Sequence, residues 1–284
     1  MKKNNSFICV QPGQEDAIIN GERLLKEEVT GLLIEHFFSE AECQNMVQTL
    51  KQISTEEKTV VNDGFLTLPL SFAQFTQLKD AGQMNTEQYV GIATAFRQSI
   101  VPLFGVDIEQ KLKDCLKQLF PNKTFHLLWN EDFQNHLVPF NFRELKPGNG
   151  ELIAHCENLF FKEFPSFFDW LSQHGVRNNQ FSFFITLQNT EEGGELNCFD
   201  FLWENVKERL EFELLKDESG KLIPIHGSGV NSSLIKPKVG SLLLFNGGNI
   251  WHRVEKVIGQ NSRITLGGFV SSSKLNDTEM FMWA

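Results

Sequence analysis

Lys238-Val239-Gly240-Ser241-Leu242-Leu243-Leu244-Phe245-Asn246-Gly247-Gly248, then His252, then Ser262-Arg263-Ile264-Thr265-Leu266-Gly267-Gly268-Phe269, is the stretch on which the fold class turns. Its apolar runs, Ser241–Phe245, His252–Val254 and Arg263–Val270, are short and broken by glycine and asparagine, so they read as strands joined by tight turns. The same rhythm holds back to about Phe125. Thr124–Trp129, Asn141–Leu145, Gly150–His155, Gln180–Gln188 and Glu195–Leu202 are the other expected strands, with turns at Pro147-Gly148-Asn149-Gly150 and Glu192-Gly193-Gly194. Upstream the pattern is helical. Ser39 with Glu42 three residues on makes a capping box, which predicts a helix to about Gln52 with Met46 and Leu50 on its apolar face. Thr86 to about Val101 reads as a second helix, stopped by Pro102. Ile108–Phe120 reads as a third, with Leu112, Cys115, Leu116 and Leu119 sharing a face. Helices first and antiparallel strands second make the chain α+β, its strands closing into a sandwich or barrel. With 284 residues and no internal repeat, a single domain over 1–284 is expected, mainly helical over 1–122 and β-rich over 123–284.

Composition narrows the partners. Hydrophobic residues make up 41% of the chain, which supports a packed core and excludes a disordered chain. Phe outnumbers Tyr 27 to 1, favouring dry apolar walls without naming a ligand. The formal net charge is −10 and no basic stripe with interleaved aromatics is present, so neither nucleic acid nor an anionic membrane is an expected partner. No apolar run follows the basic Met1-Lys2-Lys3-Asn4-Asn5, and none approaches the roughly 18 residues of a membrane span. A soluble, cytoplasmic protein is the expectation. Cysteines 9, 43, 115, 156 and 198 lack CxxC spacing and read as free thiols in a reducing compartment.

His155-Cys156-Glu157 is the only His-x-acid triplet in the chain, and chance alone supplies about one in a sequence of this composition. Its place at the end of an expected strand gives it weight. Strand alternation would turn His155 and Glu157 to the same side, onto two adjacent corners of an octahedral metal. His252, after the run Ser241–Phe245 and the turn Asn246-Gly247-Gly248, is the expected third ligand at the head of its own short strand. Two histidines and one carboxylate leave three positions open, the arrangement that suits iron(II), a chelating cosubstrate and dioxygen. 2-Oxoglutarate would supply the electrons, and its far carboxylate needs a fixed cation. Arg263, eleven residues after His252 on the next strand, offers a bidentate fork, with Ser262 or Thr265 adding a hydroxyl.

At these residues the chain resembles the 2-oxoglutarate oxygenases. Lys238–Phe269 resembles their distal half, and Glu192-Gly193-Gly194-Glu195-Leu196 their Gly-Gly-Glu turn before a core strand. The likeness is to the non-haem iron halogenases of hapalindole-type (welwitindolinone) alkaloids and to relatives that hydroxylate N-substituted amino acids. It spans about Glu151–Val270 and fades before Phe125. The resemblance implies a double-stranded β-helix (jelly roll) core over 123–284, buttressed by N-terminal helices. It implies Fe(II) and 2-oxoglutarate as cofactors, dioxygen and a small molecule as partners, His155 and His252 on iron, and Arg263 on 2-oxoglutarate. Arg143, twelve residues before His155, stands where those halogenases also carry an arginine; it would contact 2-oxoglutarate or substrate, or pair with an acid. The departure is Glu157. Those halogenases have glycine there, and the vacancy admits chloride; a carboxylate in that corner implies hydroxylation instead.

Other readings stay open. Phe160, Phe161, Phe164, Phe167 and Phe168 are either a pocket wall or plain core, and Asn158 either supports a ligand or ends a strand. Residues 204–237, too long for a hairpin loop, are a lid over the metal or an inert insertion. His36, His126, His136, His174 and His226 lack partners at metal-like spacing. Beside hydroxylation stand desaturation, epimerisation or cyclisation with the same cofactors, oxidation of protein side chains, and a cupin-like metal-binding sensor without turnover.

Overall fold

Side chains that alternate along extended backbone give each long strand two unlike faces, and here those faces sort the chain into a helix-backed layer and a cavity. The computed structural model describes residues 6–130, 135–159, 165–173, 176–203, 214–216, 222–224 and 232–284. The first 122 residues bring helices α1 (Glu15–Leu25), α2 (Glu40–Gln52), α3 (Phe72–Asp80), α4 (Thr86–Phe104) and α5 (Ile108–Leu119). They also bring strands β1 (Phe7–Cys9), β2 (Gly31–Ile34), β3 (Thr59–Asn62) and β4 (Phe65–Leu68). Next come β5 (Thr124–Leu127), β6 (Trp129–Asn130), β7 (Asn135–His136), β8 (Asn141–Leu145) and β9 (Leu152–His155). Helix α6 (Pro165–Gln173) leads into β10 (Val176–Gln188), β11 (Glu192–Gly193) and β12 (Leu196–Leu202). The chain then forms β13 (Leu214–Lys216), β14 (Leu222–Pro224), β15 (Ser232–Ile235) and β16 (Leu242–Phe245). It ends with β17 (Ile250–Val254), β18 (Val257–Ile258), β19 (Arg263–Ser273) and β20 (Glu279–Trp283).

The larger sheet runs β1-β2-β16-β10-β19-β8-β4-β3, with β20 joined to β19 and β5 joined to β20. The smaller runs β15-β12-β17-β9. Along β10, Phe181, Phe183, Ile185 and Leu187 join the large core shared with the helices, as do Ile264, Leu266 and Val270 of β19 and Phe142 of β8. The alternate residues face the other sheet: Leu145, Phe184, Leu243 and Phe245 pack against Leu196, Cys198, Ile250 and Val254. Each such buried side chain contributes about 1.5–3 kcal/mol relative to exposure. The Phe-rich composition is spent here, on a helix-backed layer and an apolar inter-sheet space.

Differences from the sequence reading are local. The capping box of α2 is present as expected, Ser39 accepting from the Glu42 amide and Glu42 from that of Ser39. Helix α4 is not stopped by Pro102. It continues to Phe104 and ends at Gly105, whose φ is 71°, because a proline in the last turn removes only one backbone bond. The helical first part also supplies β1 to β4 to the larger sheet, strands too short to show alternation. All five cysteines are free. Among the described residues no helix is long and apolar enough to cross a membrane. The expected lid lies mostly outside the described residues; within it, β13 pairs with β14 and β15 joins the smaller sheet. Phe160, Phe161 and Phe164 also lie outside them.

Candidate metal centre and its cavity

Pairing of β9 with β17 sets His155 directly opposite His252, with ring centroids 4.4 Å apart. His252 lies mid-strand, not at the strand head, and Ile250 and Trp251 before it anchor the ladder end. Each imidazole is locked by its own strand. His155 Nδ1 lies 2.6 Å from the Ile153 carbonyl and His252 Nδ1 2.8 Å from that of Ile250. Donation of Nδ1–H to a carbonyl fixes the tautomer and leaves the Nε2 lone pair as the ligand electrons. Burial holds both imidazoles at about pKa 4, with the neighbouring ring adding to the effect at His155, so both are neutral near pH 7.

Glu157 reaches the pair by a route that strand alternation does not describe. Strand β9 ends at His155, and Glu157 opens a short 3-10 turn, Glu157–Leu159. What positions it is the turn between β16 and β17: the amides of Glu157 and Asn158 donate to the carbonyls of Gly247 (3.2 Å) and Gly248 (3.0 Å). Gly247 has to be glycine here, since a Cβ would come within 2.1 Å of Ser182 Oγ and 2.7 Å of Glu157 Oε2. Ser182 donates its hydroxyl to Glu157 Oε1, and His252 Nε2 lies 3.7 Å from the same oxygen. Glu157 Oε2 is buried with no hydrogen-bond partner among the described residues. Burial pushes the carboxyl up from its ordinary range, with His155 and the Ser182 hydroxyl pulling it back.

These facts test the fit to a metal. The ligand atoms of His155, Glu157 and His252 all lie within 4.8 Å of one another. Two neutral nitrogens, one carboxylate and an orphaned buried oxygen make a site that a divalent cation completes, and the donor set suits iron(II) with positions left for other ligands. The Cys198 thiol, paired with His252 across the ladder, is held protonated by burial and by Glu157, which leaves it out of the donor set.

A cavity of about 360 Å³ opens from the triad to the larger sheet. Its far wall carries Arg143 on β8 and Arg263 and Thr265 on β19. Arg143 stands opposite Thr265 and Leu145 opposite Arg263, so the two arginines share a face as diagonal neighbours. The Arg263 guanidinium lies 4.9 Å from the Phe184 ring centroid and that of Arg143 5.7 Å from Phe269. Arg143 Nε donates to Asn141 Oδ1 at 2.8 Å. Burial pulls both guanidinium groups down to about 10, and Arg143 adds to the effect on Arg263, while Glu157 and Glu195 respectively work against it. Gly194 fits against Arg263 because a Cβ there would stand 3.2 Å from its Cδ, which gives the Gly-Gly-Glu motif a packing reason. Thr265 is buried on the cavity, whereas Ser262 donates to Glu144 and is not the hydroxyl beside Arg263. Phe168 lines the cavity. Ser182 and Gly247 escaped the sequence reading. The signal for Ser182 was a small polar residue at an inward position inside the run Phe181–Ile185.

Neutral imidazoles with one carboxylate on one wall and cations for a dicarboxylate on the other are the working parts of the iron(II), 2-oxoglutarate-dependent oxygenases, the class this fold and site define. Within it, the family model described as carrier-protein-independent halogenase WelO5 matches residues 11–284, and the chain belongs to that family. The fold is similar to a crystal structure of a novel N-substituted L-amino acid dioxygenase from Burkholderia ambifaria AMMD. The TM-score is 0.57 at 13% identity, over 93% of this chain and 90% of that one. The structure of such a dioxygenase from the same organism in complex with alpha-KG gives 0.52 at 14% identity, over 93% and 90%. No curated protein matches the chain. The cofactors are Fe(II) and 2-oxoglutarate, in agreement with the sequence reading.

Proposed function

We propose that this protein hydroxylates an unactivated C–H bond of a small molecule, and that the two sheets are the halves of a double-stranded β-helix. His155, Glu157 and His252 hold iron(II); Arg263 takes the far carboxylate of 2-oxoglutarate, and Thr265 adds a hydroxyl beside it. Bound together, iron(II) and 2-oxoglutarate supply the oxidising chemistry: substrate-H, dioxygen and 2-oxoglutarate give substrate-OH, succinate and carbon dioxide. The protein's part is placement and dryness. The carbonyls of Ile153 and Ile250 hold the two imidazoles in register, and Ser182 and the Gly247 turn hold the carboxylate. Phe65, Leu152, Phe168, Phe245 and Phe269 line the cavity and exclude water from the reacting centre.

The observation that carries the reading is Glu157. The family is described as halogenases, and the related halogenases carry glycine at this position, leaving a corner for halide. Here a buried carboxylate fills it, backed by a serine hydroxyl and a turn shaped around it. The rival reading, halogenation, draws on the family's description. Turnover of an accepted substrate in saturating chloride, analysed by mass spectrometry, decides between them. Wild type is expected to add oxygen, and Glu157→Gly to lose hydroxylation. Chlorinated product as the main outcome from wild type would overturn the proposal.

A further inference from the structure

The geometry points to Arg143 as the anchor for a carboxylate on the substrate, which makes the substrate class small monocarboxylic acids with an apolar body. This inference rests on the oxygenase reading above and deepens it. Among the described residues, the ionisable side chains lining the cavity are Arg143, His155, Glu157, His252 and Arg263. Glu157 stands with the two imidazoles, and among the described lining side chains no carboxylate stands with Arg143. A half-buried guanidinium whose terminal nitrogens lack a protein acceptor is costly, and one carboxylate balances it. The side chain is held ready for that anion. Asn141 fixes Nε and the Phe269 ring centroid lies 5.7 Å from the guanidinium carbon, while neither terminal nitrogen has an acceptor among the described residues. That is a fork matched to a carboxylate's two oxygens.

Position separates the two arginines. Arg143 sits on β8, held by Asn141 over Phe269, whereas Arg263 sits on β19 over Phe184, so an anion on Arg143 takes its own part of the cavity that His155, Glu157 and His252 also line. The rest of the substrate meets apolar side chains: Phe65, Leu152, Phe168 and Phe269 inside, with the exposed Val61 and Ile153 also on the lining.

The test is equilibrium binding without turnover. Anaerobic iron(II) protein with 2-oxoglutarate is titrated by calorimetry with 3-phenylpropanoate, indole-3-acetate and hexanoate, and with the primary amide of each. Wild type is expected to bind at least one acid, with its amide at least tenfold weaker. Arg143→Gln should erase that difference and change the 2-oxoglutarate Kd by less than threefold; Arg143→Lys should keep part of the acid preference, which separates charge from folding. Arg263→Gln should weaken 2-oxoglutarate instead. Acids that bind no better than amides, acids that do not bind at all, or an Arg143→Gln variant that loses 2-oxoglutarate as Arg263→Gln does, would each overturn the inference. Failure of wild type to bind iron(II) and 2-oxoglutarate would instead strike the oxygenase reading beneath it.

Discussion

The two walls of the cavity are built by opposite means. On the smaller sheet a carbonyl two residues earlier holds each imidazole, and just beyond it two glycine carbonyls hold the amides of Glu157 and Asn158 while Ser182 holds the carboxylate. On the larger sheet the arginines rest on aromatic faces, and Asn141 Oδ1 accepts from Arg143 Nε. The metal donors are held in place by the protein, whereas the terminal nitrogens of Arg143 have no acceptor among the described residues. The difference assigns rigidity to the chemistry and adaptability to recognition.

Changes on the metal wall should be the largest and should leave recognition intact. His252→Ala is expected to lower iron(II) affinity by about a thousandfold, read by anaerobic competition with a chelator; a loss of less than tenfold would break the division. Arg263→Gln is expected to raise the 2-oxoglutarate Kd by about a hundredfold, the loss of a buried charge-assisted pair, with iron(II) affinity kept within threefold. Acidity gives a third contrast. Glu157's carboxyl is raised by burial and must lose its proton to bind metal, so Mn(II) affinity should fall about tenfold per pH unit once pH drops through that raised range. The imidazoles, held at about 4, join only below that, and Glu157→Gln should flatten the slope above pH 4. Gly247→Ala should cost about 1–3 kcal/mol in denaturant unfolding and weaken iron(II) roughly tenfold, because its methyl meets both Ser182 and Glu157. Ser182→Ala should be smallest, about three- to tenfold in metal affinity with stability nearly unchanged.

Much of this was legible because the signals were strong where they were local. The strand Asn141–Leu145 and the cap at Ser39 carry their own chemistry, and both stand where the sequence puts them. The triad was legible as residue types and spacing, though the route was not. Glu157 joins His155 through a turn of another strand pair, and contacts between elements far apart in sequence leave no periodic trace. Strands β1 to β4 hide for a similar reason, since three or four residues cannot display alternation and only pairing with the larger sheet makes them strands. Arg143 was visible as an offset, while its partnership with Asn141 and its place on the cavity as a diagonal neighbour of Arg263 required the register of β8 on β19.

The measurement that bears most directly on the account is halide binding to the anaerobic iron(II), 2-oxoglutarate protein, followed through its visible charge-transfer absorption while chloride and then bromide are added. Glu157 fills the corner that halide takes in the related halogenases and leaves, beside chelating 2-oxoglutarate, only the position for dioxygen, so wild type should bind halide at least tenfold more weakly than Glu157→Gly. Halide binding by wild type as tight as by Glu157→Gly would contradict the assignment of Glu157 to the metal and with it the hydroxylase reading.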